Sequence, residues 1–322
     1  MNKYKLKISL KILVAVGLLS WFLSQSDIGK IFASISDLSM KNLAAAVLLS
    51  LIYLIIKSFR WHLFLPQYSL IKLLQLIFIS QFYSIFSVGQ FVGEAAKIYI
   101  LGRGQKEAGQ IAMSVLIDKV TGIIGVIIVA ILGLAFTKTV LPENLTWIFL
   151  TAAVACLIII FLIKLPLVYD WLIRFFSSWF NRSIKFKQPI GLMIKLIEAW
   201  HIYSRKTKII FFSVILSVIF QLVVVGIYLI LSFGFAIEVS FFDWCWLSSL
   251  IAGLAVLPIT IGGLGVREGS LVGLLGFFTV APEKALALSF AVFGIQLIFA
   301  VIGGIFEIRR AKMFKIKPAN NN

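Results

Sequence analysis

"LPITIGGLGVREGSLVGLL", residues 257–275, has the apolar character of a membrane segment but not the build of an unbroken one. Pro258, Gly262, Gly263 and Gly265 crowd the first half, and glycine and proline are the residues that most weaken a helix interior. Arg267 and Glu268 follow at once, although a charge at membrane depth is costly and marks a function or an internal partner. The apolar arm ahead of the break, Trp244–Leu257, reaches about 21 Å as a helix, short of the ~30 Å hydrocarbon core. The region 244–280 therefore reads as a hairpin of short or re-entrant helices.

A second stretch has the same construction. "FSVGQFVGEAAKIYIL", from Phe86, lies inside an apolar region, 71–101, that is again interrupted by glycine, at Gly89 and Gly93. Placing Gly89 over Gly263 also superposes Val92 on Val266 and Glu94 on Glu268. Two glycine-interrupted segments in corresponding places point to a site at the interface of an inverted repeat.

Around the hairpins lie six segments that read as full crossings: about 8–24, 41–58, 111–136, 147–164, 209–233 and 285–306. The composition agrees. Of 322 residues, 61% are hydrophobic and 13% charged, with a mean hydropathy of +1.05, against a charged fraction of about 25% in soluble domains. The expected fold is an all-α polytopic membrane protein forming one integral membrane domain over 1–322. The basic, then apolar N-terminus lacks a small-x-small cleavage site before Asp27 and reads as a retained first helix.

The net charge of +17 follows from topology rather than from a nucleic acid partner. With the N-terminus cytoplasmic, most Lys and Arg fall on that side, in 3–11, 57–72, 97–106, 164–208 and the tail 307–322. This gives a plasma membrane protein with both termini cytoplasmic. The eight tryptophans lie near segment ends or in loops, where interfacial anchors belong. The loop 165–208 mixes bulky apolar residues with Lys and Arg. Its helices either lie on the anionic cytoplasmic leaflet or pack on the bundle. Cys156 and Cys245 have neither metal nor disulfide spacing and read as buried free thiols.

The charges at membrane depth are Glu94, Lys97, Asp118, Lys119, Arg267 and Glu268. Glu94 and Lys97 are three apart and share a helix face; Asp118–Lys119 and Arg267–Glu268 are sequence neighbours whose partners are expected elsewhere. The set holds three acids and three bases and can neutralise itself. One reading makes these charges cross-bundle locks. The other gives them a polar head group to handle, since non-helical backbone at membrane depth is tolerated chiefly around a cavity. Arg267, one turn into a helix whose N-terminus faces that cavity, suits a phosphate. No P-loop, HExxH or GxSxG appears, His62 and His201 lie outside any metal or triad spacing, and no cofactor or metal is implied.

"PITIGGLGVREG" (258–269), with "GQFVGEAAKIYIL" (89–101), "VLIDKVTG" (115–122) and "KSFRW" (57–61), resembles the flippase-like lysylphosphatidylglycerol synthase transmembrane-region family over nearly the whole chain. By that resemblance Arg60 stands where the family has Arg before Trp, and Glu94 is the Glu of its Gly-Glu motif. Lys97 stands where Arg is commoner and Asp118-Lys119 in place of Glu-Arg, while Gly122 departs from a position often acidic. The two-part enzymes of the family carry a soluble catalytic domain after the membrane region, for which this sequence shows no counterpart. The resemblance and the charges together imply a lipid translocase acting on a phosphate-bearing amphiphile, a phospholipid or polyprenyl-phosphate-linked molecule. Arg267, Lys97 and Arg60 would meet the head group, and Glu94, Glu268 and Asp118 would balance these cations. A membrane-embedded lipid-modifying transferase and a scaffold of a cell-envelope complex, with a partner protein, remain the alternatives.

Overall fold

The computed structural model describes residues 26–86, 91–103, 107–137, 143–162, 165–182, 187–203, 205–256 and 265–316. Among them every regular element is an α-helix. Four are long and apolar enough to cross a membrane: α2 (Met40–His62), α5 (Ala108–Phe136), α9 (Thr207–Gly234) and α12 (Pro282–Ile316). At 1.5 Å per residue they run from about 34 to about 52 Å, each longer than the ~30 Å hydrocarbon core. They cover four of the six expected crossings. The fifth, about 147–164, is the helix α6 (Glu143–Leu162), and the first, about 8–24, lies outside the described residues.

Both regions expected as hairpins are broken. In the first, α3 (Leu70–Phe86) and α4 (Phe91–Gly102) flank the break; in the second, α10 (Phe241–Val256) and α11 (Val266–Gly276) do so. None of the four helices exceeds about 26 Å, so none spans the hydrocarbon alone. The break residues Gly89, Pro258, Gly262 and Gly263 lie outside the described residues, whereas Gly93 and Gly265 lie within them.

The order long, short, short, long occurs twice, as α2-α3-α4-α5 and as α9-α10-α11-α12, and the partnering is reciprocal. The two leading helices α2 and α9 pack on each other, α3 packs on α12, and α10 packs on α5. Glycine permits both exchanges. A Cβ at Gly133 of α5 would lie 2.7 Å from the backbone of Phe242 and Trp246 in α10, and one at Gly303 of α12 would collide with the Phe78 carbonyl in α3. Small residues at the crossing let backbones approach where lipid offers no hydrophobic drive for association.

Burial is inverted relative to a soluble protein. Leu132, Phe211, Phe212, Ile298 and Val301 face outward on the long helices, while Arg60, Lys97, Asp118, Gln221, Arg267 and Glu268 are buried. Outside the two four-helix sets, a short α1 (Ile28–Ser36) packs on α12. The loop 165–208 folds as α7 (Pro166–Arg182) and α8 (Lys187–Tyr203), paired with each other. Both helices contribute to packing on the bundle, α7 through Tyr169, Leu172, Ile173 and Phe176. α8 packs on the bundle, burying Ile197, Trp200 and Tyr203 against Phe64, Ile117 and Ile124. α7 leaves Leu167, Trp171, Phe175 and Trp179 exposed.

Two expectations need correction. Trp61, Trp200, Trp244 and Trp246 are core residues, not interfacial anchors; Trp61 donates to Ser114 and Trp244 stacks on Tyr228. Cys245 is buried as expected, but Cys156 is exposed on the apolar face of α6, where a thiol behaves as a small hydrophobe.

Candidate functional site: a charged cavity between the two helix sets

A cavity of about 650 Å³ lies between the two sets, with walls from α2, α3, α4 and α5 on one side and α9, α10, α11 and α12 on the other. Its charged lining is Lys57, Arg60, Glu94, Asp118, Lys119 and Arg267. Between the charges the wall is mostly aliphatic, with Ile123, Val126, Ile127, Val224 and Ile295 among its residues. Such a surface suits an amphiphile better than a free ion.

Arg60 and Asp118 form a two-pronged pair. Arg60 Nε donates to Asp118 Oδ1 at 2.6 Å and Nη2 to Oδ2 at 3.0 Å, while Nη1 donates to Ser217 Oγ at 3.0 Å. The guanidinium also lies over the Phe220 ring, 5.2 Å from its centroid. The pair ties α2 to α5 and, through Ser217, to α9. Gly122, one turn beyond Asp118, fits beneath it: a Cβ there would approach Arg60 Nη1 at 3.2 Å and Nη2 at 3.3 Å. The departure from an acid at this position thus lies directly against Arg60.

At Glu94 three lysines converge on one carboxylate. Lys97, one turn along α4, pairs with Oε2 and is buried, its Nζ lying 4.7 Å from the centroid of the Trp61 ring. Lys57 Nζ stands 3.9 Å from Oε1 and Lys119 Nζ 4.0 Å from the same oxygen. Gly93 presses α4 onto α3, since a Cβ would collide with Ser80 and Ser84. The Glu94–Lys97 face expected from their spacing is present, and Asp118 and Lys119 do turn to separate partners.

Arg267 and Glu268 behave otherwise. They pair with each other, Arg267 Nη2 to Glu268 Oε1 at 2.5 Å, where neighbours on a helix were expected to diverge. The cause is the helix start. Gly265, at φ 84°, caps α11, and Glu268 folds back so that Oε2 accepts from the Gly265 N–H at 2.6 Å. Arg267 curls to the same end. Ser289 of α12 joins them, accepting from Arg267 Nε at 2.8 Å and donating to Glu268 Oε1 at 2.9 Å. Arg267 Nη1 reaches Gln296, and its guanidinium lies over Phe293.

Among the described residues, Lys57 and Arg60 join the six charges expected at membrane depth, so that five cations (Lys57, Arg60, Lys97, Lys119 and Arg267) stand with Glu94, Asp118 and Glu268. Lys57 escaped notice as one more basic residue flanking a crossing; its three-residue spacing from Arg60 was the available signal. The polar group Gln221, Ser248 and Ser249, joined at 3.1 and 3.3 Å, also lines the wall and had no sequence signature.

A model of the lysylphosphatidylglycerol synthase TM region matches residues 8–304. The chain belongs to that family. With four helices long and apolar enough to cross, this makes it a polytopic membrane protein, and the family relates it to lipid modification or translocation. Comparison with curated proteins yields no match. In this member the motif charges Arg60, Glu94, Asp118, Lys119 and Arg267 line one cavity, with Lys97 and Glu268 paired directly behind Glu94 and Arg267.

Proposed function

We propose that this chain translocates a lipid with a phosphate-bearing head group across the plasma membrane. One observation carries the reading: a single cavity, bounded by both four-helix sets, joins charged clusters through an aliphatic wall. The head group meets Lys57, Lys119 and Arg267 while the tails stay against the apolar surface and surrounding lipid. The two sets, of matching element order and reciprocal packing, act as an inverted repeat whose relative rocking exposes the cavity to one side and then the other. Lys97 and Glu94 position the lysines. Arg60–Asp118 and Arg267–Glu268 keep their own elements in place, and Arg267 still offers one face to the cavity.

The termini are cytoplasmic and the first hairpin opens to that side, on the charge distribution. The anionic cytoplasmic leaflet then lies beside the basic loop and tail. Purified protein in liposomes carrying a fluorescent phospholipid in one leaflet tests the reading. Protection of the label from a membrane-impermeant quencher should change faster than in protein-free vesicles, with the lipid chemically unaltered. Recovery of a new lipid product instead identifies a transferase. Neither transport nor product leaves a scaffold role.

A further inference from the structure

The helix α7 presents three flanks. Tyr169, Leu172, Ile173 and Phe176 pack on the bundle beside Ile197 and Trp200 of α8. Asp170, Arg174 and Ser177 make a polar flank, on which Asp170 and Arg174 are exposed. Leu167, Trp171, Phe175 and Trp179 follow one another at intervals of four residues and make the third, exposed from 86% at Leu167 to 49% at Trp179. At 100° per residue the three sets lie about 120° apart around the helix axis.

The third flank is apolar and continuous. The Trp171 and Phe175 rings stack with centroids 5.7 Å apart, and Trp179 extends the ladder at 6.2 Å from Phe175. Single exposed apolar side chains are ordinary, whereas a contiguous row marks an interaction surface. The place of α7 in the chain selects the partner. Residues 163–165 alone separate α6 from α7, and 204–206 alone separate α8 from α9, which is long and apolar enough to cross a membrane. Links of that length reach at most about 14 Å, so both ends of the α7–α8 pair are held at the membrane face. Charge agrees, since residues 165–208 carry eight Lys and Arg against Asp170 and Glu198. Arg174 and Ser178 share a groove with Trp171, Phe175 and Trp179, which sets a cation beside the rings.

We infer that α7 seats this aromatic row in the boundary between head groups and acyl chains of an anionic leaflet, with Arg174 against the lipid phosphates. A helix lying in that boundary sinks its apolar face about 5–10 Å into it, and the amphipathic indole of tryptophan suits the same depth. Each flank then meets a surface of its own chemistry: the bundle, water and lipid. The row is separate from the central cavity, and the inference does not rest on the translocation reading.

The test uses full-length protein in nanodiscs, carrying Cys156→Ala and Cys245→Ala, with single added cysteines that bear a polarity-sensitive fluorophore. Labels at Trp171→Cys, Phe175→Cys and Trp179→Cys should emit to the blue of a label at Asp170→Cys. A nitroxide near the top of a lipid acyl chain should quench them several-fold more than it quenches the label at Asp170→Cys, and aqueous iodide should do the reverse. Iodide quenching of the row equal to that at Asp170→Cys overturns the inference, because the row then faces water. Protection from both quenchers also overturns it and identifies a protein cover, such as a second copy of the chain. The anionic preference is read separately. At Trp171→Cys a nitroxide on phosphatidylglycerol should quench more than the same nitroxide on phosphatidylcholine, by up to about fivefold, the equivalent of ~1 kcal/mol for one basic side chain at an anionic surface. Arg174→Gln should remove that difference. Equal quenching by the two lipids with Arg174 in place overturns the anionic partner and leaves an apolar seat alone.

Discussion

Asp118→Asn isolates the lock between α2 and α5. The substitution keeps the shape of the side chain and removes its charge, leaving Arg60 in a site where its side chain is only 4% exposed. Removing one partner of a buried ion pair costs about 3–5 kcal/mol, because the remaining charge stays buried without compensation. Here Nη1 keeps its bond to Ser217 and the guanidinium keeps the Phe220 ring, so the lower end, about 3 kcal/mol, is expected. Arg60→Met should lose a similar amount. The double variant Arg60→Met/Asp118→Asn should lose less than the sum of the two, with a coupling of about 2 kcal/mol, within the range for contacting pairs. Unfolding in mixed micelles, titrated with SDS and followed by tryptophan fluorescence, supplies all four corners of the cycle. Lipid translocation per folded molecule should be nearly unchanged in the double variant, since the pair holds helices together and leaves the substrate to other groups. A single-variant loss below about 1 kcal/mol with additive effects would refute the assignment of this pair as a lock.

Gly303→Ala should destabilise by about 1–3 kcal/mol because its Cβ would collide with the Phe78 carbonyl, whereas Gly294→Ala, with nothing within 4 Å, should be neutral or stabilise by up to about 1 kcal/mol; thermal melts in detergent compare them. Glu268→Gln removes the partner of Arg267 and replaces a charged acceptor at the Gly265 N–H, so folded yield and melting temperature should fall more than for Glu283→Gln at the start of α12. Single cysteines at Lys187 and Lys206 should react with an impermeant thiol reagent only from the cytoplasmic face, and those at Asp37 and Glu238 only from the other. Labelling of Lys206 and Glu238 from one face would reverse the proposed topology.

How much of this was legible in the sequence depended on range. The long helices were, because lipid demands a continuous apolar run and Thr207–Gly234 supplies one. So was the Glu94–Lys97 pair, since three residues of helix fix their separation. Arg60 and Asp118 lie 58 positions apart, and no local pattern encodes the crossing of α2 and α5 that joins them. The tryptophans misled because proximity to a segment end says nothing about which side of the helix a ring occupies. Trp61 faces Lys97 and Ser114, away from lipid. Arg267 and Glu268 misled for a different reason. The rule that successive helix residues diverge describes Cβ directions, and two long side chains at a first turn can both fold back over the cap.

The distances separate charges that hold from charges that can exchange. Arg60–Asp118 and Arg267–Glu268 are closed by hydrogen bonds of 2.5–3.0 Å and by shared serines, Ser217 and Ser289. Opening either means stripping a buried guanidinium of several donors' partners at once. Lys57, 3.9 Å from Glu94, gives up no formed hydrogen bond to that carboxylate when it turns to another anion. A translocation site must release what it binds, so its ligand contacts must be of the exchangeable kind while the frame around them stays closed. That criterion gives the exchangeable head-group contact to Lys57 beside Glu94 and leaves Arg267, which the sequence favoured, offering one face of a closed pair. Arg267→Lys should therefore impair folding more than it alters lipid preference, and Lys57→Gln the reverse.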